Sequence, residues 1–415
     1  MSINPFASAR HSSLWRLSSS GAVTLHTTTL IAFLAASSAP TPLYRLYQQQ
    51  WGFSATLLTV VFAAYALALL LALLVTGRLS DHVGRRPVIA LALALQIIAM
   101  LGFLCAAGPG WLIAARVLQG FATGMATAAA GAALLDLGRE RGALINSVAP
   151  MMGMAAGALG STALMVFAPG PLRTVYVLLL IVFLIVLGLT WLAPETTERR
   201  PGAWASLKPR ITVPPQARKA LLSVTPANVA VWMLGGFYLS LMPSLIVAVT
   251  RVNTPWLGGL VVAALTLTGV AAVLAAHKLS TFVTLLSGEL ALVAGLAVIL
   301  AGTNQGHAVL LLGGSVIAGF GFGASFLGAV RSVLPLAEPH ERAALMGVFY
   351  IESYLANSVP TIAVGYLAQR AGLLAAANAY GTVIAVLTVL AIALLFAQAR
   401  TSMQARTAMK KGNRA

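Results

Sequence analysis

The sequence predicts an all-α membrane protein: twelve transmembrane helices in two pseudo-symmetric six-helix bundles. First, 59% of the 415 residues are hydrophobic and only 8% are charged, with a mean hydropathy of +0.90. A soluble protein keeps about a quarter of its residues charged to wet its surface, so most of this chain's exterior must face lipid. Second, the apolar residues fall into about twelve runs, each long enough, at about 20 residues, to cross roughly 30 Å of hydrocarbon. Third, short motifs recur about 200 residues apart in equivalent loops.

The runs cover residues 22–40, 54–76, 88–107, 111–137, 143–167 and 174–193, then 222–248, 256–277, 281–302, 307–333, 343–367 and 373–397. They admit Gly and Pro freely and lack the short alternating strands of a membrane barrel. Arg10 and Arg16 precede the first run, and Ala36-Ser37-Ser38-Ala39 has the look of a leader-cleavage site. Pro40 disfavours cleavage there, so the first run is expected to stay as a helix. Between the sixth and seventh runs, residues 194–220 carry six Lys/Arg together with Pro201, Pro209, Pro214 and Pro215. This reads as a linker between bundles at 1–193 and 221–398, with a basic tail at 399–415.

The repeat rests on two matches. Arg78-Leu79-Ser80 follows the second run and Lys278-Leu279-Ser280 the eighth. Glu140-Arg141 with Leu144 precedes the fifth, and Glu341-Arg342 with Leu345 the eleventh. Parallel duplication of this kind builds transporters with a substrate site between the halves.

The net charge of +17 does not indicate nucleic acid. With the N-terminus inside, 21 of the 26 Lys/Arg fall on the inner side, among them Arg210, Arg406, Lys410, Lys411 and Arg414. Only Arg45, Arg173, Arg251 and Arg370 lie outside, and Arg116 lies within a helix. That asymmetry predicts a multi-pass plasma-membrane protein with both termini cytoplasmic. Cys105 stands alone, and no Cys/His cluster suggests a metal. No phosphate-binding Gly-x-x-x-x-Gly-Lys-[Ser/Thr] loop occurs, so neither ATP hydrolysis through that device nor any cofactor is expected. Gly319, Gly321 and Gly323 have no strand before them and are expected to pack helices rather than bind a dinucleotide.

The most specific motif is Gly77-Arg78-Leu79-Ser80-Asp81-His82-Val83-Gly84-Arg85-Arg86, between runs two and three. Gly77 and Gly84 allow a tight turn. Asp81 can cap the N-terminus of a neighbouring helix, and Arg85 and Arg86 can pair with carboxylates on that face. In the fourth run, Arg116, Gln119, Thr123 and Thr127 form one polar stripe. Arg116 either faces protein or water at this depth, and so serves function, or snorkels to the outer interface. Asp136 ends the same helix. In the eleventh run, Glu352 accompanies Ser353 and Asn357. A desolvated carboxyl there can carry a proton or meet a cationic substrate, or simply hydrogen-bond a neighbouring helix. Glu289 in the ninth run ranks below it, and His26 is expected to be solvated near the inner interface.

The Gly77–Arg86 segment resembles the signature loop of the major facilitator superfamily. Arg116-Val117-Leu118-Gln119-Gly120 with Gly124 resembles its second motif. The resemblance implies the twelve-helix fold and a gate latch in which Arg85 pairs with Asp136 beside Asp81. Asp136 could instead be solvated and paired with Arg139. The second copy departs from the pattern at His277 and Thr281, so the latch is expected mainly in the first half. Pro150, Gly153, Gly157 and Gly160 are similar to a fifth-helix motif of drug:proton antiporters, although a small-residue packing face explains them equally well.

The resulting expectation is a secondary transporter, not an enzyme, that exports drug-like or amphipathic solutes by alternating access. Its expected partners are a small solute, protons and the lipid bilayer, and it is expected to act as a monomer. Arg116, Gln119, Glu352 and Glu289 are the candidates for coupling or substrate binding. Trp232, Tyr238, Tyr350, Tyr354 and Asn357 are candidates for cavity lining. The alternatives are proton-coupled uptake of a small metabolite and a transport-inactive sensor or assembly protein. A sensor calls for a signalling domain, and no segment outside the runs is long enough to form one.

Overall fold

The computed structural model describes residues 17–209, 211–252, 254–338 and 340–412, with side chains to residue 400. Arg10, Arg16, Arg210 and Arg414 therefore lie outside the described residues, as do the side chains of Arg406, Lys410 and Lys411. Sixteen α-helices and one short 3-10 turn follow one another, with no strand among the described residues.

The first half comprises α1 (Ser19–Ser38), α2 (Pro40–Trp51), α3 (Ala55–Thr76), α4 (Ser80–Val83), α5 (Arg85–Leu104), α6 (Pro109–Leu137), α7 (Arg139–Phe167) and α8 (Pro171–Thr190). α9 (Ala203–Ser206) lies in the linker. The second half comprises α10 (Pro215–Ser240), α11 (Met242–Thr250), α12 (Pro255–Ala276), α13 (Thr281–Gln305), α14 (Ala308–Val333), α15 (Arg342–Ala371) and α16 (Leu373–Gly412). α1 and α2 form one broken span, and so do α10 and α11, which leaves twelve spans, six in each half.

Eleven of the spans are long and apolar enough to cross a membrane by composition. The twelfth, α15, is 30 residues long and diluted by Glu352, Ser353, Asn357, Ser358, Pro360 and Thr361. It packs on α3 of the other half and on α10. Its polarity belongs to a helix facing protein rather than lipid.

Three boundaries differ from the sequence reading. The first span continues past residue 40 as α2, because a proline at the first position of a helix is tolerated and Pro40 opens a new helix rather than ending the old one. α10 starts at Pro215, inside the stretch read as linker, for the same reason. α16 runs unbroken to Gly412, through most of the stretch read as a tail.

Small residues let the helices meet closely. A Cβ on Gly295 would lie 2.4 Å from the Ala318 nitrogen, and one on Gly321 would lie 2.6 Å from the Leu292 nitrogen, so α13 and α14 are in backbone contact. Gly319 and Gly323 seat α14 against α12 in the same way, so this glycine run packs helices as expected. Two seams join the halves: α7 against α12, and α3 against α15. Gly259 gives room to Thr162 in the first, and Gly365 to Thr59 in the second.

Candidate functional site

At the face that carries the linker, the signature loop is clamped by charge. Arg85 is 8% exposed. Its Nε donates to Asp136 Oδ2 at 3.1 Å, and its guanidinium also donates to Ser80 (2.8 Å) and to Asp81. Asp136 Oδ2 accepts a second bond from Thr196 Oγ1 at 2.9 Å. The pairing of Arg85 with Asp136 beside Asp81 is thus present in the geometry, and Asp136 does not depend on Arg139.

The helix-capping role falls to another residue. Asp81 was expected to cap a neighbouring helix, but its recorded bond is to Arg85, four residues on. Glu195 caps α5 instead: its two carboxylate oxygens accept from the Arg85 amide (2.8 Å) and the Arg86 amide (3.1 Å). A helix N-terminus presents unsatisfied amides and partial positive charge, and a carboxylate satisfies both. Gly84 makes the approach possible, with φ +107° and a hypothetical Cβ only 2.7 Å from Glu195 Oε2. Gly77 is different: its φ of −56° is ordinary helix, so it makes no left-handed turn. Arg86 completes the clamp by donating to the Trp191 and Ala193 carbonyls and lying over the Trp191 ring. The first residues of the linker are therefore tied to the first half.

The second half handles the equivalent loop without carboxylates. Arg331 donates to the carbonyls of Ala276 (3.1 Å) and His277 (2.8 Å), closing the end of α12.

Toward the opposite, far face, the chain breaks at Ala39. Pro40 has no N–H, so the Ala36 carbonyl lacks its helical donor. Gln119 Nε2 supplies one at 2.9 Å. Arg116 donates to the Ser37 carbonyl (2.8 Å), to Gln119 Oε1 (2.8 Å) and to the Tyr44 hydroxyl (2.5 Å). It also lies 4.9 Å from the centre of the Tyr65 ring. Arg116 is fully buried, so it does not snorkel to the interface. Arg116 and Gln119 thereby hold a broken helix together, a role separate from the coupling role for which the sequence nominated them.

Between the halves, at the linker face, lies a cavity of about 470 Å³ bounded by α3, α6 and α15, with Arg78, Lys208, His340 and Tyr350 in its wall. An aromatic chain leads inward from it. Tyr350 and Tyr354 have ring centres 6.3 Å apart, and Tyr354 and Trp232 4.7 Å apart. Tyr354 also packs against Tyr65, Ala66 and Leu69 of α3. Tyr238 does not belong to this wall: it is buried within the second half, bonded to Ser315 at 2.6 Å. Asn357 is also turned inward, donating to the Trp232 carbonyl at 3.1 Å.

The two membrane carboxylates differ. Glu352 accepts from Thr225 (3.1 Å) and Asn228 (3.2 Å) of α10. Glu289 is fully buried beside Ser325 of α14, yet neither its oxygens nor the Ser325 hydroxyl makes a hydrogen bond of standard geometry. His26 is 2% exposed, so it is packed rather than solvated as expected. α1 lies against α6, α7 and α8, which surround it with protein. Gly153 and Gly157 of α7 sit against the Ile31 and Ala35 carbonyls of α1, so the fifth-helix motif forms a packing face here. No group of His, Cys, Asp and Glu among the described residues could hold a metal ion.

The sequence profile of the Major Facilitator Superfamily matches residues 25–359. The chain belongs to this superfamily. No curated protein matches it, whereas solved structures do. The human organic anion transporter MFSD10 (TETRAN) superposes with a TM-score of 0.67 at 18% identity, covering 91% of this chain and 100% of the other. A mutant of the nucleoside transporter NupG gives 0.71 at 11%, covering 90% and 99%. A bacterial homologue of the human lysosomal transporter Spinster, inward-facing and unoccupied, gives 0.71 at 15%, covering 95% and 98%. At these identities the likeness is one of fold. As a superfamily member the chain is a multi-pass membrane transporter of a small solute, not an enzyme.

Within this superfamily fold, the sequence reading missed Glu195, Tyr44 and Tyr65. A signal for Glu195 existed, an acid just after the Pro194 that opens the basic linker. Tyr44 and Tyr65 carried none, because nothing in their local sequence points toward a buried guanidinium.

Proposed function

We propose that the chain moves an amphipathic small solute by alternating access, and that the geometry described here is its inward-facing form. One observation carries the reading: access between the halves is unequal at the two faces. At the far face, Thr41 of α2 bonds the Leu239 carbonyl of α10 at 2.9 Å, and Thr56 bonds Gln369 at 2.5 Å. Between the halves at that face the crevice measures about 210 Å³, against about 470 Å³ at the linker face; the open hollow of about 590 Å³ beside it is walled by the first half alone. With the linker face cytoplasmic, as the charge asymmetry implies, solute enters from inside.

Export coupled to protons is the direction we favour, with Glu352 as the coupling carboxylate. It sits on α15, the polar span at the seam, and its hydrogen-bond partners lie on α10 of its own half, so the carboxyl stays held in that half while the seam beside it opens. The proteins of similar fold include an organic anion transporter and a nucleoside transporter, and both carry small solutes of the size this cavity can admit. The test is reconstitution into liposomes with an imposed pH gradient and a panel of labelled amphipathic solutes. Accumulation that follows the gradient and collapses with a protonophore is expected. Transport indifferent to the gradient would replace coupled export with facilitated diffusion.

A further inference from the structure

The geometry points to an amphipathic organic anion as the solute, with its aromatic body among Tyr65, Tyr354 and Trp232 and its anionic group met by hydrogen-bond donors around them. This rests on the transport reading above and narrows it. The decisive feature is the sign of what is left unpaired around Tyr65 and Trp232. Buried polar groups are ordinarily satisfied, and an orphan requires an explanation. Here the Nε–H of Arg116 and the Nε1–H of Trp232 are both buried without a partner. The Tyr65 hydroxyl lies near Ser37 and Thr123 but makes no hydrogen bond of standard geometry. The first two can only donate, and the third can donate.

These groups form one connected set. Arg116 lies over the Tyr65 ring, Tyr354 packs on Tyr65, and Trp232 lies against Tyr354. Tyr65 comes from the first half, Tyr354 and Trp232 from the second. They close on one another in this form, and parting of the halves turns them into the walls of a cleft. A group made only of acceptors, such as a carboxylate or sulfonate, complements an array of donors through charge-assisted bonds.

Charge agrees with the donors. Arg116 has no carboxylate among its recorded partners and is fully buried. The carboxylate on this stretch of α15, Glu352, two residues before Tyr354, is already engaged by Thr225 and Asn228 of α10. Asp81 and Asp136 pair with Arg85, and Glu195 caps α5. The cavity wall below carries Arg78, Lys208 and His340 with no acidic residue, and His340 meets the exposed Glu338 outside that wall. A path lined by one sign of charge concentrates the opposite ion. An organic cation would leave every donor unpaired and meet repulsion at the mouth.

The test uses three probes of one shape on the purified full-length protein: naphthalene-2-sulfonate, 2-naphthyltrimethylammonium and 2-naphthol. Binding is read by calorimetry, and counterflow is read in proteoliposomes. The sulfonate is expected to bind at least about tenfold more tightly than the ammonium, the order expected of one charge-assisted bond. Tyr65→Phe keeps the ring and removes only the hydroxyl, and Trp232→Phe keeps an aromatic ring while removing the indole N–H together with part of its area, so both variants should fold. Each should weaken the sulfonate by about fivefold or more and leave naphthol within about twofold. Lys208→Gln, on the exposed rim, should slow sulfonate counterflow and make it less sensitive to salt. Equal or tighter binding of the ammonium, no binding of the sulfonate, or unchanged sulfonate affinity in both aromatic variants would overturn the proposal. Tight sulfonate binding without counterflow would leave anion recognition standing and remove the transport reading.

Discussion

Thr41 donates its hydroxyl to the carbonyl of Leu239 at 2.9 Å, across the seam between the halves. Leu239 stands four residues before Pro243, which has no N–H to give it. The first half thus fills a gap in the second, at a point where both halves break their leading span. Thr41→Val keeps the shape, removes the donor and leaves that carbonyl orphaned. The loss should be about 1 kcal/mol, roughly fivefold in the population of the form closed at the far face. Spin labels at Gln50→Cys and Val252→Cys, in a Cys105→Ser background, should show a larger long-distance fraction in the Thr41→Val protein. An unchanged distance distribution would mean that the bond does not help close this face.

Gln119 performs the matching service inside the first half, where Pro40 deprives Ala36. Gln119→Leu should lower stability by about 1 kcal/mol. Pro40→Ala restores an N–H at the position that serves Ala36, so the same substitution should cost clearly less in that background. A double-mutant cycle in thermal unfolding measures the difference. Equal costs in both backgrounds would refute the pairing of these two features.

The clamp around Arg85 predicts an order of severity. Arg85 is 8% exposed, whereas the side chain of Asp81 is 51% exposed and that of Asp136 32%. Arg85→Met leaves two carboxylates facing each other and should impair transport most, followed by Asp136→Asn. Asp81→Ala should reduce transport more mildly, since exposed ion pairs contribute little, with the amount of inserted protein nearly unchanged. Glu195→Ala removes the cap of α5, about 0.5–2 kcal/mol, and should speed protease cleavage of the linker. Transport rates normalised to protein amount, with a proteolysis time course, test the series.

The two membrane carboxylates should separate cleanly. Glu352→Gln keeps shape and hydrogen bonding but cannot release a proton, so it should abolish gradient-driven transport and spare downhill exchange. Glu289 makes no hydrogen bond of standard geometry, and Ser325 is the polar side chain beside it. Glu289→Leu should therefore leave the thermal midpoint unchanged or raised, because an apolar replacement relieves an unpaired buried polar group. It should also leave coupling intact. Loss of coupling in Glu289→Leu alone would move the proton site to α13.

Cys105 provides a native test of orientation. It is the sole cysteine, it is exposed, and it follows α5 at the far face. A membrane-impermeant maleimide added to intact cells should label it, and Cys105→Ser should abolish the signal. Labelling only after permeabilisation would invert the topology.

The sequence alone determined the class of this protein. Too few charges exist to cover a soluble surface, and the apolar runs match the bilayer thickness. The pairing of Arg85 with Asp136 came instead from the resemblance to the superfamily's signature loop, which pointed to both partners. Which way each helix faces was decided only by tertiary packing. Lipid and protein interior are equally apolar, so a span gives little sign of which of its sides meets a neighbour. That is why Tyr238 and Tyr350 looked alike, yet one bonds Ser315 inside a bundle and the other lines the cavity. It is also why Arg116 could be marked as costly but not as the group that, with Gln119, holds the break before Pro40: the chain positions involved are some 80 residues apart, and only the folded bundle brings a donor to a carbonyl that proline has left without one.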